Sequence, residues 1–126
     1  MIHIEGIQQA QDGNLRTIAA LQPSGGLGRA VHWMTTAAHR GVVTRVHVDT
    51  GTYRAGTIMS FDARQMVGRV FVDPAAVNPK TGERAADYAP VEEMRGGEHA
   101  AFYRTYVEDG DNIVNAAGQM FANELP

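Results

Sequence analysis

The sequence predicts an α+β fold, a small antiparallel β-sheet packed against two long α-helices. Three observations carry this expectation. Residues 27–46 and 99–125 repeat apolar side chains at spacings of three and four, the period of an amphipathic helix. Between them, residues 57–62 alternate in polarity, and residues 67–73 are dense in Val and Phe, which favours extended chain. Asp62-Ala63-Arg64-Gln65 suits a hairpin loop joining the two segments. At 126 residues the chain fits one domain, residues 1–126, with no room for a second.

Taken in order, residues 1–5 alternate and read as a short strand ending at Gly6. From Ile7 a first helix is expected, with Ile7, Ala10, Leu15, Ile18 and Leu21 on its core face and Gln8, Gln9, Asp12 and Arg16 in water. Pro23, Gly25 and Gly26 break it. The second helix places Leu27, Val31, Met34, Ala38 and Val42 in one buried stripe, with Ser24 as its N-cap. Residues 48–52 form a turn in which Gly51 is free to take a positive φ. On the first strand, Met59 and Phe61 face one way and Ile58 the other. Residues 74–86, with Pro74 and Pro79, form a long polar loop, a length that points to disorder or function. Asp87 then caps a short helix whose apolar side is Tyr88, Val91 and Met94, closed by Gly96 and Gly97. The last helix presents Phe102, Tyr106, Ile113, Ala117, Met120 and Phe121, with Gly110 a weak point.

Composition narrows the function. Much of the 44% apolar content is alanine and aromatics are 7%, so the chain has little large apolar surface to bury and leans on neighbouring subunits. Absence of cysteine excludes disulfides and thiolate metal sites and fits a reducing cytoplasm. No secretion signal or bilayer-spanning run is expected. Residues 1–54 hold five basic and three acidic side chains, whereas residues 55–126 hold six basic and eleven acidic ones. Such a split suits head-to-tail packing as well as two solvated faces.

Chemistry finds little support in the residues. His3, His32, His39, His47 and His99 are the metal or acid–base candidates, but His32 and His39 stand seven residues apart. That is ~10 Å along a helix, too wide for one ion. His47 with Asp49 lacks a nucleophile held by an orienting partner. Residues 24–29 resemble a phosphate loop only in their glycines, lacking the Gly-Lys-Ser/Thr ending and a preceding strand. The adjacent Glu92 and Glu93 point in different directions on a helix and form no acid–base pair. Neither a catalytic centre, nor a metal, nor a cofactor is therefore expected. The stretch from residue 25 to 48 carries Arg29, Arg40 and Arg45 and no acid at all. This basic face supports an alternative, a small nucleic-acid-binding protein using its second helix.

Val48-Asp49-Thr50-Gly51-Thr52-Tyr53-Arg54-Ala55 resembles the Val-x-Thr-Gly-x-Leu-Arg-x-Ser signature of the tail-component, or tail-completion, family of long-tailed bacteriophages. Thr50, Gly51 and Arg54 match, and Tyr53 stands in place of the usual Leu. Tyr88-Ala89-Pro90-Val91-Glu92-Glu93-Met94 is similar to the family's Tyr-Ala-x-x-Val-Glu-Phe-Gly-Thr segment, with Glu92 or Glu93 as its glutamate and Arg95 where Gly is common. His99-Ala100-Ala101-Phe102 then opens the last helix, as a Pro-Phe or Ala-Phe step does in relatives. The resemblance covers most of the chain in order. It implies a virion protein of the neck or upper tail, made in the host cytoplasm and not associated with membrane. It implies a ring of six copies between the tail terminator or tail-tube protein and the head-completion proteins, with DNA passing through the lumen unread. The motif residues Thr50, Gly51, Arg54, Tyr88, Ala89, Glu92, Glu93 and Phe102 then have architectural roles. Arg54 is expected to bond a helix end or a carboxylate, with Glu92 or Glu93 as the partner.

Overall fold

The computed structural model describes residues 5–46 and 51–125. Its elements are α1 (Ile7–Ala20), α2 (Gly26–Arg45), α3 (Thr52–Gly56), β1 (Thr57–Asp62), β2 (Val67–Val72), α4 (Ala85–Arg95), a 3₁₀ turn (Gly97–His99) and α5 (Ala101–Ala122). The fold is α+β, with one antiparallel strand pair running from Thr57 opposite Val72 to Asp62 opposite Val67. Of the expected opening strand, residues 1–4 lie outside the described residues, as do His47, Val48, Asp49 and Thr50.

Helix α2 is the spine. Its residues 32, 35 and 39, spaced by three and four, make one stripe that receives the hairpin. The His32 and Phe61 rings meet edge-on at 5.5 Å, and His39 Nε2 lies 2.7 Å from the Thr57 carbonyl oxygen. Thr35 sits beneath Gly68, where an added Cβ would stand 1.6 Å from the Thr35 hydroxyl oxygen. Thr57, Met59 and Phe61 face Val72, Val70 and Gly68 across the ladder, so these six share the inner side of the sheet. Asp62 Oδ1 accepts the Arg64 and Gln65 N–H groups at 2.9 and 3.2 Å and shapes the turn.

A second side of α2 receives α5, which runs antiparallel to it. Arg45 meets Glu108 and Asp109 near one end, and Arg29 meets Glu124 at the other. Small buried residues let the two backbones approach: Ala30 and Gly41 on α2, Ala101, Thr105 and Ala117 on α5. The core cluster is Val42, Val46, Tyr53, Ala89 and Ala101, edged by Val70, Val72, Tyr88 and Phe102.

Several expected faces turn out differently. α1 buries its small side, Ala20 with the half-covered Gly13 and Thr17. It leaves Ile7, Leu15, Ile18 and Leu21 at 52%, 64%, 55% and 42% exposure. The N-cap of α2 is Gly25 rather than Ser24, whose carbonyl accepts from Arg29. α3 was not expected, because five residues are too short to show a period. α4 starts two residues before Asp87, because Ala85 is fully buried and its N–H bonds the Ala76 carbonyl at 2.8 Å. Asp87 lies in the first turn and pairs with Arg84, the actual N-cap residue. Val91 and Met94 face outward and Ala85 and Ala89 inward. On α5 the buried stripe passes through Ala101, Thr105 and Ala117, leaving Tyr106 and Met120 exposed. The common cause is close approach, which small side chains permit and large ones prevent.

The polar segment before α4 is knit by its own backbone. Asn78 N–H bonds the Glu83 carbonyl and Gly82 N–H bonds the Asn78 carbonyl, both at 2.8 Å. Asn78 itself is buried, and its side-chain oxygen accepts Lys80 N–H at 2.9 Å.

Candidate functional site

The two segments that carry the motifs fold against each other. Gly51 takes φ +84°, as expected, and leads into α3. On α3, Tyr53 turns into the core at 5% exposure. Helix α4 brings Tyr88 to it, the rings 6.2 Å apart at 67°, and lays buried Ala89 beside them. Phe102, on the first turn of α5, packs against the same cluster. Tyr53, Tyr88, Ala89 and Phe102 thus form a junction joining α3, α4 and α5.

The charged motif residues surround this junction. Arg54 Nη2 donates to the Val46 carbonyl, at the C-terminal end of α2, at 3.3 Å. Of its two expected partners, then, the helix end is the one bonded, which suits a cation. The expected pairing with Glu92 or Glu93 is corrected, since both carboxylates turn to other groups. Glu92 lies 2.8 Å from His99 Nδ1 and 3.3 Å from Arg95 Nη1. Glu93 reaches across to α5 and accepts the Phe102 and Tyr103 N–H groups at 2.7 and 3.3 Å. Adjacent positions on one helix do diverge, as their angular separation requires.

The Tyr53 hydroxyl is buried without a hydrogen-bond partner among the described residues. Burial first, then the negative charges of Glu93 and Glu92, push its pKa up to about 12. It stays protonated through the physiological range.

A second polar cluster locks α2 to α5. Arg45 donates to both oxygens of Asp109 at 2.6 and 2.8 Å, to Glu108 at 2.9 Å and to Thr105 Oγ1 at 3.3 Å. Bonding to Arg45 holds the Asp109 and Glu108 carboxyls below their ordinary range, and Asp109 raises Arg45 above its own. Arg29 engages Glu124 and the Ser24 carbonyl. Two arginines of the expected basic face are therefore matched by acids on α5 and just beyond its end, leaving Arg40 exposed beside them.

The sequence singled out Glu93, Phe102 and Arg45 but not the bonds they make. The α5 cap comes from another helix, so no short Ser/Thr-x-x-Glu pattern announces it. Arg45 and Asp109 stand 64 residues apart. Among the described residues, no group of three or more His, Cys, Asp or Glu side chains could hold a metal ion. No described helix is long and apolar enough to cross a membrane.

A concavity lies elsewhere. α2 touches both the hairpin and α5, which hardly touch each other. An open apolar groove of about 880 Å³ runs between these two walls, floored by Val31, Met34, Thr35 and Ala38. Comparisons with protein-family models, curated proteins and solved structures give no match.

Proposed function

We propose that this chain is a structural virion protein of the neck or upper tail of a long-tailed bacteriophage. It assembles into a ring that completes the tail and joins it to the head. The observation that carries this reading is the apolar surface left uncovered. Ile7, Leu15, Ile18 and Leu21 on α1, with Tyr103, Tyr106, Val107 and Val114 on α5, are all exposed, while the core is made largely of alanines. A chain with this distribution gains stability by covering itself with neighbours. The motif residues support the same reading, since they brace helix junctions and leave the outer faces free.

The mechanism is geometric. A heterologous contact repeated by a closing rotation gives a ring, and weak contacts are multiplied around it. The resemblance supplies the place: the tail terminator or tail-tube protein on one side, head-completion proteins on the other, and DNA threading the lumen. The basic-helix alternative has less support, because Glu124, Asp109 and Glu108 already answer Arg29 and Arg45.

The test is the mass of the purified protein in solution, alone and mixed with its tail-terminator neighbour. A ring-sized species in either sample is expected. A strict monomer in both, retarding DNA at low salt and releasing it at high salt, would replace this reading with nucleic-acid binding.

A further inference from the structure

We infer that α1 is an assembly arm: its apolar stripe docks into the groove between the hairpin and α5 of a second copy of this chain. The inference deepens the ring reading, on which it rests, by naming the faces that meet.

The arm is built to reach outward. Ile7, Leu15, Ile18 and Leu21 lie on one side of α1, and the side that α1 covers is a different one, through Gly13, Thr17 and Ala20. The turn into α2 fixes this attitude. Gln22 N–H bonds the Ala19 carbonyl at 3.2 Å, Gly25 N–H bonds the Gln22 carbonyl at 2.9 Å, and Arg29 Nη1 bonds the Ser24 carbonyl at 3.0 Å. Gly28 closes the elbow so tightly that a Cβ there would stand 1.8 Å from the Pro23 carbonyl oxygen. This bonded elbow holds the stripe off the chain's own groove.

Groove and arm agree in length and chemistry. The stripe from Ile7 to Leu21 is ~21 Å long, and the α5 wall from Phe102 to Val114 is ~18 Å. The groove is apolar through Met34, Val70, Val107 and Val114, with one carboxylate, Asp111, in its lining. Gln11 and Asn14 are the polar side chains within the arm's stripe, and their amides supply donors that a carboxylate accepts. Because arm and groove are different surfaces, every copy has one of each, which is the requirement for a closed ring.

The chain has no cysteine, so pairs can be introduced cleanly at exposed positions. The full chain with Ile18→Cys and Val114→Cys, gently oxidised in whichever sample assembles, should give a covalent ladder of dimers, trimers and larger species. A fast-migrating cross-linked monomer would mean the arm fills its own groove, and dimers from Ile18→Cys alone would mean arms pair with arms; each overturns the inference. Leu15→Glu with Ile18→Glu alters only exposed side chains, so the fold measured by circular dichroism should persist while self-association weakens at least about tenfold. An assembled protein with no ladder, or unchanged association of the glutamate variant, overturns the arm and leaves the ring standing. A wild-type monomer both alone and with the tail terminator overturns both.

Discussion

Glu93 on α4 closes the N-terminus of α5 at Phe102, its Oε1 accepting the Phe102 N–H at 2.7 Å. The N-cap residue of α5 is Ala100, which has no side chain able to cap, so the anion comes from the preceding helix. A carboxylate there both satisfies free N–H groups and lies at the positive end of the helix dipole.

Glu93→Ala should therefore cost about 1 kcal/mol, the usual loss for an N-cap. Glu93→Gln should recover part of it, since an amide oxygen still accepts. Urea unfolding of the three proteins checks the order, and an alanine variant as stable as wild type would remove the capping role.

The Arg45–Asp109 pair sets the acid limit of α2–α5 packing. Arg45 lowers the pKa of Asp109 in the folded chain, so folding favours the carboxylate form. The contribution is complete above the ordinary aspartate range near pH 4 and is lost as pH falls through the lower folded value. Asp109 is one-third exposed, so solvent screens part of the pair. Arg45→Ala should lower stability at pH 7 by about 1–2 kcal/mol, roughly 4–8 °C in Tm. The gap between Asp109→Asn and wild type should shrink on acidification from pH 5 to pH 3; a constant gap would contradict the assignment.

Tyr53→Phe should be neutral or stabilising by up to about 1 kcal/mol. It preserves the ring packed on Tyr88 and removes a buried hydroxyl that has no partner among the described residues. A loss above that size in thermal unfolding would show that the hydroxyl holds a bond in solution.

Gly68→Ala should destabilise by about 1–3 kcal/mol, because the new methyl meets Thr35. Thr35→Ala in the same chain removes the nearest atom and should restore part of the loss. Additive effects in a double-mutant cycle would disprove the contact.

Elements with their own period were legible in the sequence. α1, both strands, α2 and α5 fall within a few residues of their expected bounds, and Gly51 takes its expected positive φ. Faces were harder. The stripe Ile7, Leu15, Ile18 and Leu21 is a true amphipathic pattern, yet a period cannot say whether its partner is in the same chain. In α5 and α4 the choice between large residues and Ala101, Thr105, Ala85 and Ala89 was decided by how closely helices approach, which no single segment reveals. Glu93 and Phe102 were both singled out by their motifs, but their bond depends on the turn at Gly96 and Gly97, where both residues take positive φ.

The alanine-built core also governs how the fold answers temperature. Heat-capacity change on unfolding grows with the apolar surface newly wetted. Here the buried apolar set is mainly Ala20, Ala30, Ala85, Ala89, Ala100, Ala101 and Ala117. The lone chain consequently has a shallow stability curve, changing little between cold and warm. A neighbour that covered Leu15, Ile18 and Val114 would add apolar surface to be wetted on unfolding, and with it the missing curvature.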